Sequence, residues 1–212
     1  MLETKNISFQ YPNSEKIVFP DLSLEKGKTL MICGESGSGK TTFLQLLAGL
    51  RKPSSGSVFI DKQDISSFSQ SKLDQFRGKH IGIVYQQSYF IQSISILDNL
   101  LVSPYSEGNS KAQSVAKRLK IDGLLHRYAH QISVGQQQRA SIARSVMNQP
   151  KLILADEPTS ALDDANCKYV LELLQEEARL NEAALIIVTH DNRLKSEIDN
   201  TVELNPILNT LS

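Results

Sequence analysis

The stretch Gly34-Glu35-Ser36-Gly37-Ser38-Gly39-Lys40-Thr41-Thr42 decides how this chain folds. It fits the spacing G-x-x-x-x-G-K-[ST]. The apolar run at 29–33 before it predicts a buried strand, and the periodic apolar segment at 43–50 after it predicts a helix. Glycines between a strand and a helix let backbone N–H groups turn inward around a phosphate chain, beside the positive end of the helix dipole. A chance match in a Gly/Ser turn is the alternative, and the strand–loop–helix context argues against it.

Two side chains of this loop have definite tasks in a nucleoside triphosphate site. Lys40 is expected to reach the β- and γ-phosphates, and the Thr41 hydroxyl is expected to ligate Mg²⁺. The loop therefore predicts that the chain binds a nucleoside triphosphate together with a magnesium ion.

Composition limits what else the chain does. Its 212 residues are enough for one large domain with a substantial core. The 23 Lys and Arg residues balance the 23 Asp and Glu residues, so no overall charge attracts nucleic acid or anionic lipid. Cys33 and Cys167 are too few for a disulfide framework and suit a reducing compartment. No apolar run approaches the roughly 18 residues that span a bilayer, so another chain must supply any membrane part.

Polar residues follow three further apolar runs that read as buried strands. Gln86 follows the run at 81–85, Asp156 and Glu157 end the run that begins at 151, and His190 follows the run at 184–188. Ligands bind at the carboxyl ends of strands in open α/β sheets, so these four side chains should meet at one edge beside the phosphate loop. Asp156 is expected to hold the metal through its hydration shell, and Glu157 to orient and polarise the attacking water.

Residues 88–132 differ in character and predict a mostly helical insert that projects from the core. Segments 98–102 and 111–119 read as helices. The apolar segment 89–96 has no clean period, and it is either a docking surface for a partner or the cover of a small core within the insert. His126 and His130 are four residues apart, yet no third ligand lies near them, so we interpret them as a surface pair.

Two more residues stay ambiguous on pattern alone. Ser133, with Gln136 three residues later, predicts a capping box at a helix start, which is either an ordinary cap or a second anion site. Tyr11 precedes a turn, and it either packs normally or stacks on an adenine ring.

Along essentially its whole length the chain resembles the ATP-binding cassette (ABC) ATPases. Residues 34–42 match the family's phosphate loop, and residues 133–137 look like its signature sequence. Gln86 matches the glutamine at the junction of the two lobes, and Asp156 and Glu157 match the metal aspartate and catalytic glutamate. Residues 160–163 match the loop that communicates across the dimer, and His190 matches the switch histidine that contacts the γ-phosphate. Tyr11 falls where the family places its adenine-stacking aromatic residue.

The resemblance implies an α/β fold: a phosphate-loop NTPase (RecA-like) core with an N-terminal antiparallel β sub-domain and a helical insert. Residues 1–212 would form one nucleotide-binding domain. Its catalytic lobe would comprise 1–87 and 133–212, and its insert 88–132. Two such domains would pair head to tail around two ATP molecules, as a homodimer or a heterodimer. Hydrolysis would then drive a transmembrane permease subunit, which would hold the cassette on the inner, cytoplasmic face of the cell membrane. The expected cofactors are ATP and Mg²⁺, and no nucleic-acid partner is expected.

The resemblance also assigns the site residues. We expect four catalytic residues: Lys40, Gln86, Glu157 and His190. We expect three metal-site residues: Thr41, Gln86 and Asp156. The expected ATP-binding residues are Tyr11, Gly34, Glu35, Ser36, Gly37, Ser38, Gly39, Lys40, Thr41, Thr42, Ser133, Gly135 and Gln136, the last three acting on the partner's nucleotide.

The signature departs from the family pattern in two places. Val134 stands where the family usually has glycine, and Ile132 where it usually has leucine. A β-branched residue beside the partner's γ-phosphate is expected to crowd the closed site or to restrict the backbone φ, and so to slow hydrolysis.

Three functions compete at this point. The chain's character is most similar to cassettes that serve lipoprotein release and macrolide-type export, which makes a transporter ATPase the leading interpretation. The alternatives are a cassette that regulates a permease-like partner in cell division without transport, and a nucleotide-binding module with little hydrolysis.

Overall fold

Two sheets and six helices build the part of the chain that the computed structural model describes, which is residues 1–204 and the backbone of 207–208. The strands are β1 (Leu2–Gln10), β2 (Lys16–Val18), β3 (Ser23–Leu24), β4 (Thr29–Cys33), β5 (Ser55–Ile60), β6 (Gln63–Asp64), β7 (Ile81–Val84), β8 (Leu152–Asp156), β9 (Ala184–Val188), β10 (Thr201–Glu203) and β11 (Ile207–Leu208). The helices are α1 (Lys40–Leu47), α2 (Gln70–His80), α3 (Ile96–Leu101), α4 (Asn109–Arg118), α5 (Val134–Ser145) and α6 (Asp164–Leu180).

A parallel sheet contains the strands that precede the phosphate loop and the predicted site residues Gln86, Glu157 and His190. Its strand order is β10-β4-β9-β8-β7. β9 is buried at every residue and β8 at all but its last, as expected for a parallel sheet covered on both faces. Because β4, β9, β8 and β7 are neighbours, the phosphate loop and the residues after the other three strands lie along one edge.

An antiparallel sheet forms the second layer, with strand order β11-β2-β1-β5-β6 and β3 paired to β1. The register between β1 and β5 shifts between Lys5 and Ser8, and Asn6 there has a left-handed backbone with φ 51°. Gly56 faces this irregularity with φ 84°, and a side chain at Gly56 would collide with the carbonyl oxygens of Lys5 and Asn6. Glycine therefore permits the close approach of the two strands.

Two apolar clusters hold the layers together. One lies between the two sheets around α1 and includes Phe43 and Leu47. The other covers the opposite face of the parallel sheet with α3, α4, α5 and α6. In this second cluster, Ile96 and Leu100 join Met31 and Ile187 in one continuous core. Phe90 and Ile96 therefore cover apolar residues of the insert, as one of the two alternatives for residues 89–96 had it, but that core is continuous with the core of the sheet.

Long apolar runs were predictable and short strands were not. The strands predicted at 29–33 and 184–188 are confirmed with their bounds. The helices predicted at 98–102 and 111–119 correspond to α3 and α4, which each begin two residues earlier. β3, β6, β10 and β11 are two or three residues long, too short for a period to show. The division into lobe 1–87 with 133–212 and insert 88–132 stays a prediction, and residues 205–206 and 209–212 lie outside the described chain.

None of the described helices combines the length and the apolar content that a bilayer crossing requires.

Candidate functional site

The phosphate loop leaves the start of α1 open to an anion. Gly37 and Gly39 have φ of 83° and 90°, a left-handed conformation that costs glycine little. Gly39 is the N-cap of α1, and no side chain caps the helix. The N–H groups of the first turn therefore have no side-chain acceptor and face the loop, as in a phosphate-binding helix start.

Lys40 is pre-positioned inside this loop. Its side chain is buried, and its ammonium donates to the carbonyl oxygens of Gly34 at 2.9 Å and Glu35 at 2.7 Å. Charged phosphate oxygens accept hydrogen bonds from an ammonium more strongly than these neutral carbonyls do. A bound phosphate chain would thus compete for Lys40 without any large movement of its backbone.

An open cavity of about 470 Å³ lies above the loop. Residues from four different strand ends line it: Ser36, Gly37, Gly39, Lys40, Thr41 and Thr42 from the loop, with Gln86, Glu157 and His190. The structure therefore brings together the loop and the polar residues that follow β7, β8 and β9, as their strand ends suggested. Gly34, Glu35 and Ser38 lie in the same loop, below the cavity lining.

Glu157 and His190 form a hydrogen-bonded pair at the cavity edge. His190 Nδ1 lies 2.6 Å from Glu157 Oε1, and the Thr189 hydroxyl donates to Glu157 Oε2 at 2.9 Å. Glu157 has φ 49°, which a residue other than glycine rarely adopts. Glu157 and His190 therefore line the same cavity as a hydrogen-bonded pair.

Asp156 has the properties of a magnesium ligand. Its Oδ1 atom is buried without a hydrogen-bond partner. Burial raises the pKa of the Asp156 carboxyl, while the Thr41 hydroxyl beside it acts in the opposite direction. A divalent cation would satisfy this orphaned oxygen, and carboxylate, hydroxyl and amide oxygens are ligands that Mg²⁺ accepts. Gln86 completes the set: its amide nitrogen donates to Ser160 Oγ at 3.2 Å, which turns its amide oxygen to other partners.

The residues present therefore fit a magnesium ion held by few protein ligands. Among the described residues no group of three or more His, Cys, Asp or Glu side chains could hold a metal. Magnesium sites commonly use few carboxylates and take their remaining ligands from water and substrate phosphates.

Ser133, Gly135 and Gln136 lie apart from this cavity. Ser133 Oγ accepts from the Gln136 N–H at 3.3 Å, and the Ser133 N–H donates to Gln136 Oε1 at 2.9 Å, so the predicted capping box is confirmed. Neither these two residues nor Gly135 lines the cavity over the loop. Within one chain, the second set of predicted ATP-binding residues is therefore not part of the cavity that the first set lines.

Val134 occupies the first turn of α5 with an ordinary helical backbone. Its φ is not among the positive ones, and its side chain is 60% exposed. The expectation that a β-branched residue here restricts φ is therefore wrong, because the position requires no left-handed conformation. The exposed side chain of Val134 can still crowd the closed site of a dimer, as the sequence predicts.

Tyr11 lies beside the start of α1. Its hydroxyl is 2.8 Å from Thr42 Oγ1, and the Arg51 guanidinium lies 5.2 Å from its ring centroid. Adenine stacking on Tyr11 stays a prediction.

His126 and His130 do not share a helix. His126 lies in a turn and His130 in a short 3-10 segment, and both are exposed. The His130 ring stacks on Tyr128 with centroids 5.7 Å apart. Both side chains are on the surface, as the interpretation of a surface pair requires.

Comparison with known proteins identifies the family. The model of the family described as "ABC transporter" matches residues 20–160. A "Lipoprotein-releasing system ATP-binding protein LolD" from Treponema denticola is 36% identical over 200 residues, covering 90% of this chain and 88% of that protein. A protein of the same name from Wigglesworthia glossinidia brevipalpis is also 36% identical, covering 96% and 93%.

The chain belongs to the ABC transporter family.

Solved cassettes have the same fold. A dimeric structure of the ATP-binding cassette MJ0796 in a post-hydrolysis state, bound to ADP and Pi, superposes with TM-score 0.85 at 30% identity, covering 97% of this chain and 94% of that one. The cassette cbiO1 from Clostridium perfringens gives TM-score 0.87 at 26% identity, covering 98% and 86%. The expected phosphate-loop NTPase fold is confirmed.

This ABC cassette is accordingly an ATPase that binds and hydrolyses ATP and works with a membrane permease, with Mg²⁺ as the family's usual ion. The comparisons do not favour the cell-division alternative.

Two residues that hold the chain after Gln86 carry no signal in the sequence. Asn99 is fully buried: it donates to the carbonyl oxygens of Ile91 and Ser95 and accepts from the Ile91 N–H. Arg144 donates to the carbonyl oxygens of Ser88 and Tyr89. The acceptors of Asn99 lie in the loop just before α3, and those of Arg144 lie 55 and 56 residues away along the chain. A sequence pattern does not reveal such backbone partners.

Proposed function

We propose that this chain is the ATPase subunit of an exporter of the lipoprotein-release or macrolide type. The observation that supports it best is the meeting of Gln86, Glu157 and His190 over the phosphate loop. The names of the 36% identical relatives support the narrower placement in a lipoprotein-releasing system.

In this proposal each polar residue has one task. The loop N–H groups and Lys40 bind and orient the phosphate chain. Glu157 polarises the attacking water and accepts its proton, while His190 fixes the carboxylate and contacts the γ-phosphate. Thr41, Asp156 and Gln86 would hold Mg²⁺, which supplies positive charge where negative charge develops on the phosphates.

A second molecule completes the site. Ser133 is exposed and Gly135 half-buried at the start of α5, and neither lines the chain's own cavity. We assign them to the nucleotide of a head-to-tail partner, a cassette with the same or a different sequence. ATP would then bind between the loop of one protomer and the helix start of the other.

The permease would dock beside Gln86. A groove of about 490 Å³ there is lined partly by Leu50, Arg77, Tyr85 and Val102. Tyr89 and Ile91, both exposed, continue this apolar surface, and Asn99 and Arg144 fix the backbone that carries them. We place the cassette on the cytoplasmic face of the membrane through this contact.

Turnover by the purified protein tests the catalytic assignment. Glu157→Gln is expected to lower kcat by about 100-fold or more while ATP binding is retained, because only the general base is lost. The variant should also accumulate as an ATP-dependent dimer in light scattering. Unchanged turnover in Glu157→Gln would show that Glu157 is not the base, and would favour a binding module with little hydrolysis.

Co-purification from membranes tests the docking surface. Wild-type protein expressed with its permease should remain in the membrane fraction, whereas Ile91→Asp should be released with its own ATPase rate intact. Lys62→Asp, at an exposed residue that does not line the groove, is the control. Its release to the same extent would argue against this docking surface.

A further inference from the structure

Arg193 lies between two segments that flank the candidate site. The dimer-facing segment, residues 159–164, follows Glu157, and the switch segment, residues 189–191, contains His190. Arg193 follows the switch segment directly, in a short 3-10 turn. Neither the family resemblance nor the sequence pattern assigned it a role.

The Arg193 guanidinium has an acceptor for each of its five N–H groups. Nε donates to Asp191 Oδ1 at 2.9 Å and one terminal nitrogen donates to Asp191 Oδ2 at 2.7 Å. The same nitrogen donates to the Thr159 carbonyl oxygen at 3.3 Å. The other terminal nitrogen donates to the Leu162 carbonyl oxygen at 3.1 Å and to Asp164 Oδ1 at 2.7 Å. One planar group thus joins both segments, as the fork geometry of arginine allows.

Asp191 extends this connection to Glu157. Its side chain is only 9% exposed and also accepts from the Thr159 hydroxyl at 2.8 Å. The Asp191 N–H donates to Thr189 Oγ1 at 2.9 Å, and that hydroxyl donates to Glu157 Oε2 at 2.9 Å. Hydrogen bonds from Arg193 and Thr159 hold the pKa of the Asp191 carboxyl well below its usual range, so the carboxylate stays charged at neutral pH.

We propose that Arg193 is a positioning residue that fixes the dimer-facing segment to the switch segment, so that Glu157 and His190 keep their relative placement. This inference depends on the proposed function of Glu157 and His190. It adds a coupling between the dimer-facing segment, which would meet the partner cassette, and the pair Glu157 and His190. A shift of the dimer-facing segment would move the switch segment, and the reverse.

Lysine cannot replace arginine in this role. An ammonium has three donors at a single point, so it can keep the ion pair with Asp191 without also reaching the Thr159 and Leu162 carbonyl oxygens. The charge and the bridging geometry can therefore be separated by substitution.

The test compares Arg193→Ala and Arg193→Lys with wild type and with Lys195→Ala, a control that removes an exposed charge two residues away. We expect both Arg193 variants to lower kcat by roughly 10- to 100-fold with KM for ATP little changed, because misplaced catalytic groups slow chemistry more than binding. Arg193→Lys should recover the melting temperature lost in Arg193→Ala and still have low kcat. Lys195→Ala should behave as wild type.

Hydrogen exchange of the nucleotide-free protein provides a readout that does not depend on turnover. Residues 159–164 and 189–191 should lose protection together in both Arg193 variants and keep it in Lys195→Ala. Wild-type kcat in Arg193→Ala, recovery of kcat by Arg193→Lys, or loss of protection in only one segment would each overturn the proposal. If wild-type protein itself fails to hydrolyse ATP, the proposed function fails, and the exchange result alone then decides whether Arg193 couples the segments.

Discussion

Asp156, the proposed magnesium ligand, lowers the stability of the nucleotide-free protein. Its carboxyl is largely buried and has a raised pKa, so the folded state disfavours the charged form. The pKa of Asp156 is higher in the folded state than in the unfolded state. Folding stability therefore falls as pH rises from the unfolded pKa to the folded pKa, and this loss of stability persists at pH 7. A bound cation would remove this penalty.

We therefore predict that Asp156→Asn raises the melting temperature of the nucleotide-free protein in EDTA at pH 7 by roughly 2 °C, while it abolishes ATP turnover. The gain should shrink as pH falls from the raised folded-state pKa of Asp156 toward about 4, the unfolded pKa, and should be absent below it. Thermal melts across pH, with turnover at pH 7, measure both effects.

Asp61→Asn is the matched control. Lys151 donates to Asp61 at 2.6 Å and lowers the pKa of its carboxyl. The stabilisation by this ion pair is present above the unfolded pKa of about 4. Asp61→Asn should therefore lower the melting temperature at pH 7. A stabilised Asp61→Asn, or a destabilised Asp156→Asn, would contradict this account.

Val134 is the second residue with a definite prediction. Its helical backbone leaves only side-chain bulk to disturb the closed dimer. We expect Val134→Ala and Val134→Gly to strengthen ATP-dependent dimerisation about equally, by roughly fivefold, if about 1 kcal/mol of crowding is relieved. Each substitution is combined with Glu157→Gln to prevent hydrolysis. Analytical ultracentrifugation in the presence of ATP then measures the dimer dissociation constant.

A gain with glycine but not with alanine would mean that backbone freedom matters after all. No gain with either would mean that the departure from the family pattern has no effect on closure.

At the residue scale, strand ends were predictable and loop contacts were not. Gln86, Asp156, Glu157 and His190 follow apolar runs, and the rule that such ends share an edge placed them together. The left-handed φ of Glu157 and the three donations of Arg193 to residues 159–164 depend on how segments distant in sequence meet. Nothing local in the sequence specifies those contacts.

At the scale of elements, an ion pair connects α4 of the predicted insert to α6. Arg118 donates to both carboxylate oxygens of Glu177, at 2.8 and 2.9 Å, and the Glu177 side chain is only 2% exposed. Glu177 also accepts no other side-chain cation in the described part of the chain. Removing Arg118 alone would leave a buried negative charge without its partner.

We predict that Arg118→Ala lowers the free energy of unfolding by about 2–3 kcal/mol, and that the double variant Arg118→Met, Glu177→Leu recovers most of this loss. Urea unfolding measures both. Lys168→Ala serves as the control, because its pair with Glu197 is exposed and should contribute less than about 1 kcal/mol. If the double variant is as unstable as the single one, the unpaired charge is not the cause.

Elements differ in how far a sequence specifies them. The helix at 164–180 and the strand at 184–188 have enough residues for their apolar pattern to fix type and bounds. β10 has three residues with a mixed burial pattern, and it exists because β4 offers it a free edge. Such strands are set by tertiary pairing, which only the folded chain shows.

At the scale of the whole molecule, the proposed site belongs to two chains. The phosphate loop lies in one place and the start of α5 in another, and the cavity over the loop contains no residue of α5. Gly135 suits a test of this arrangement, because a side chain there would meet nothing within 4 Å in its own chain. Gly135→Glu should therefore fold normally and obstruct only a partner's phosphates.

We predict that Lys40→Ala and Gly135→Glu are each inactive as separate proteins and regain ATPase activity when mixed. In a mixed dimer, one site has Lys40 from the Gly135→Glu chain and Gly135 from the Lys40→Ala chain, so it is intact. Random pairing makes about half of the dimers mixed, with one intact site of two, which gives about a quarter of wild-type activity. Steady-state ATPase assays across mixing ratios should peak near equal amounts. If each site lay within one chain, mixing the two variants would restore no activity. If the natural partner is a different cassette, wild-type protein alone would already be inactive.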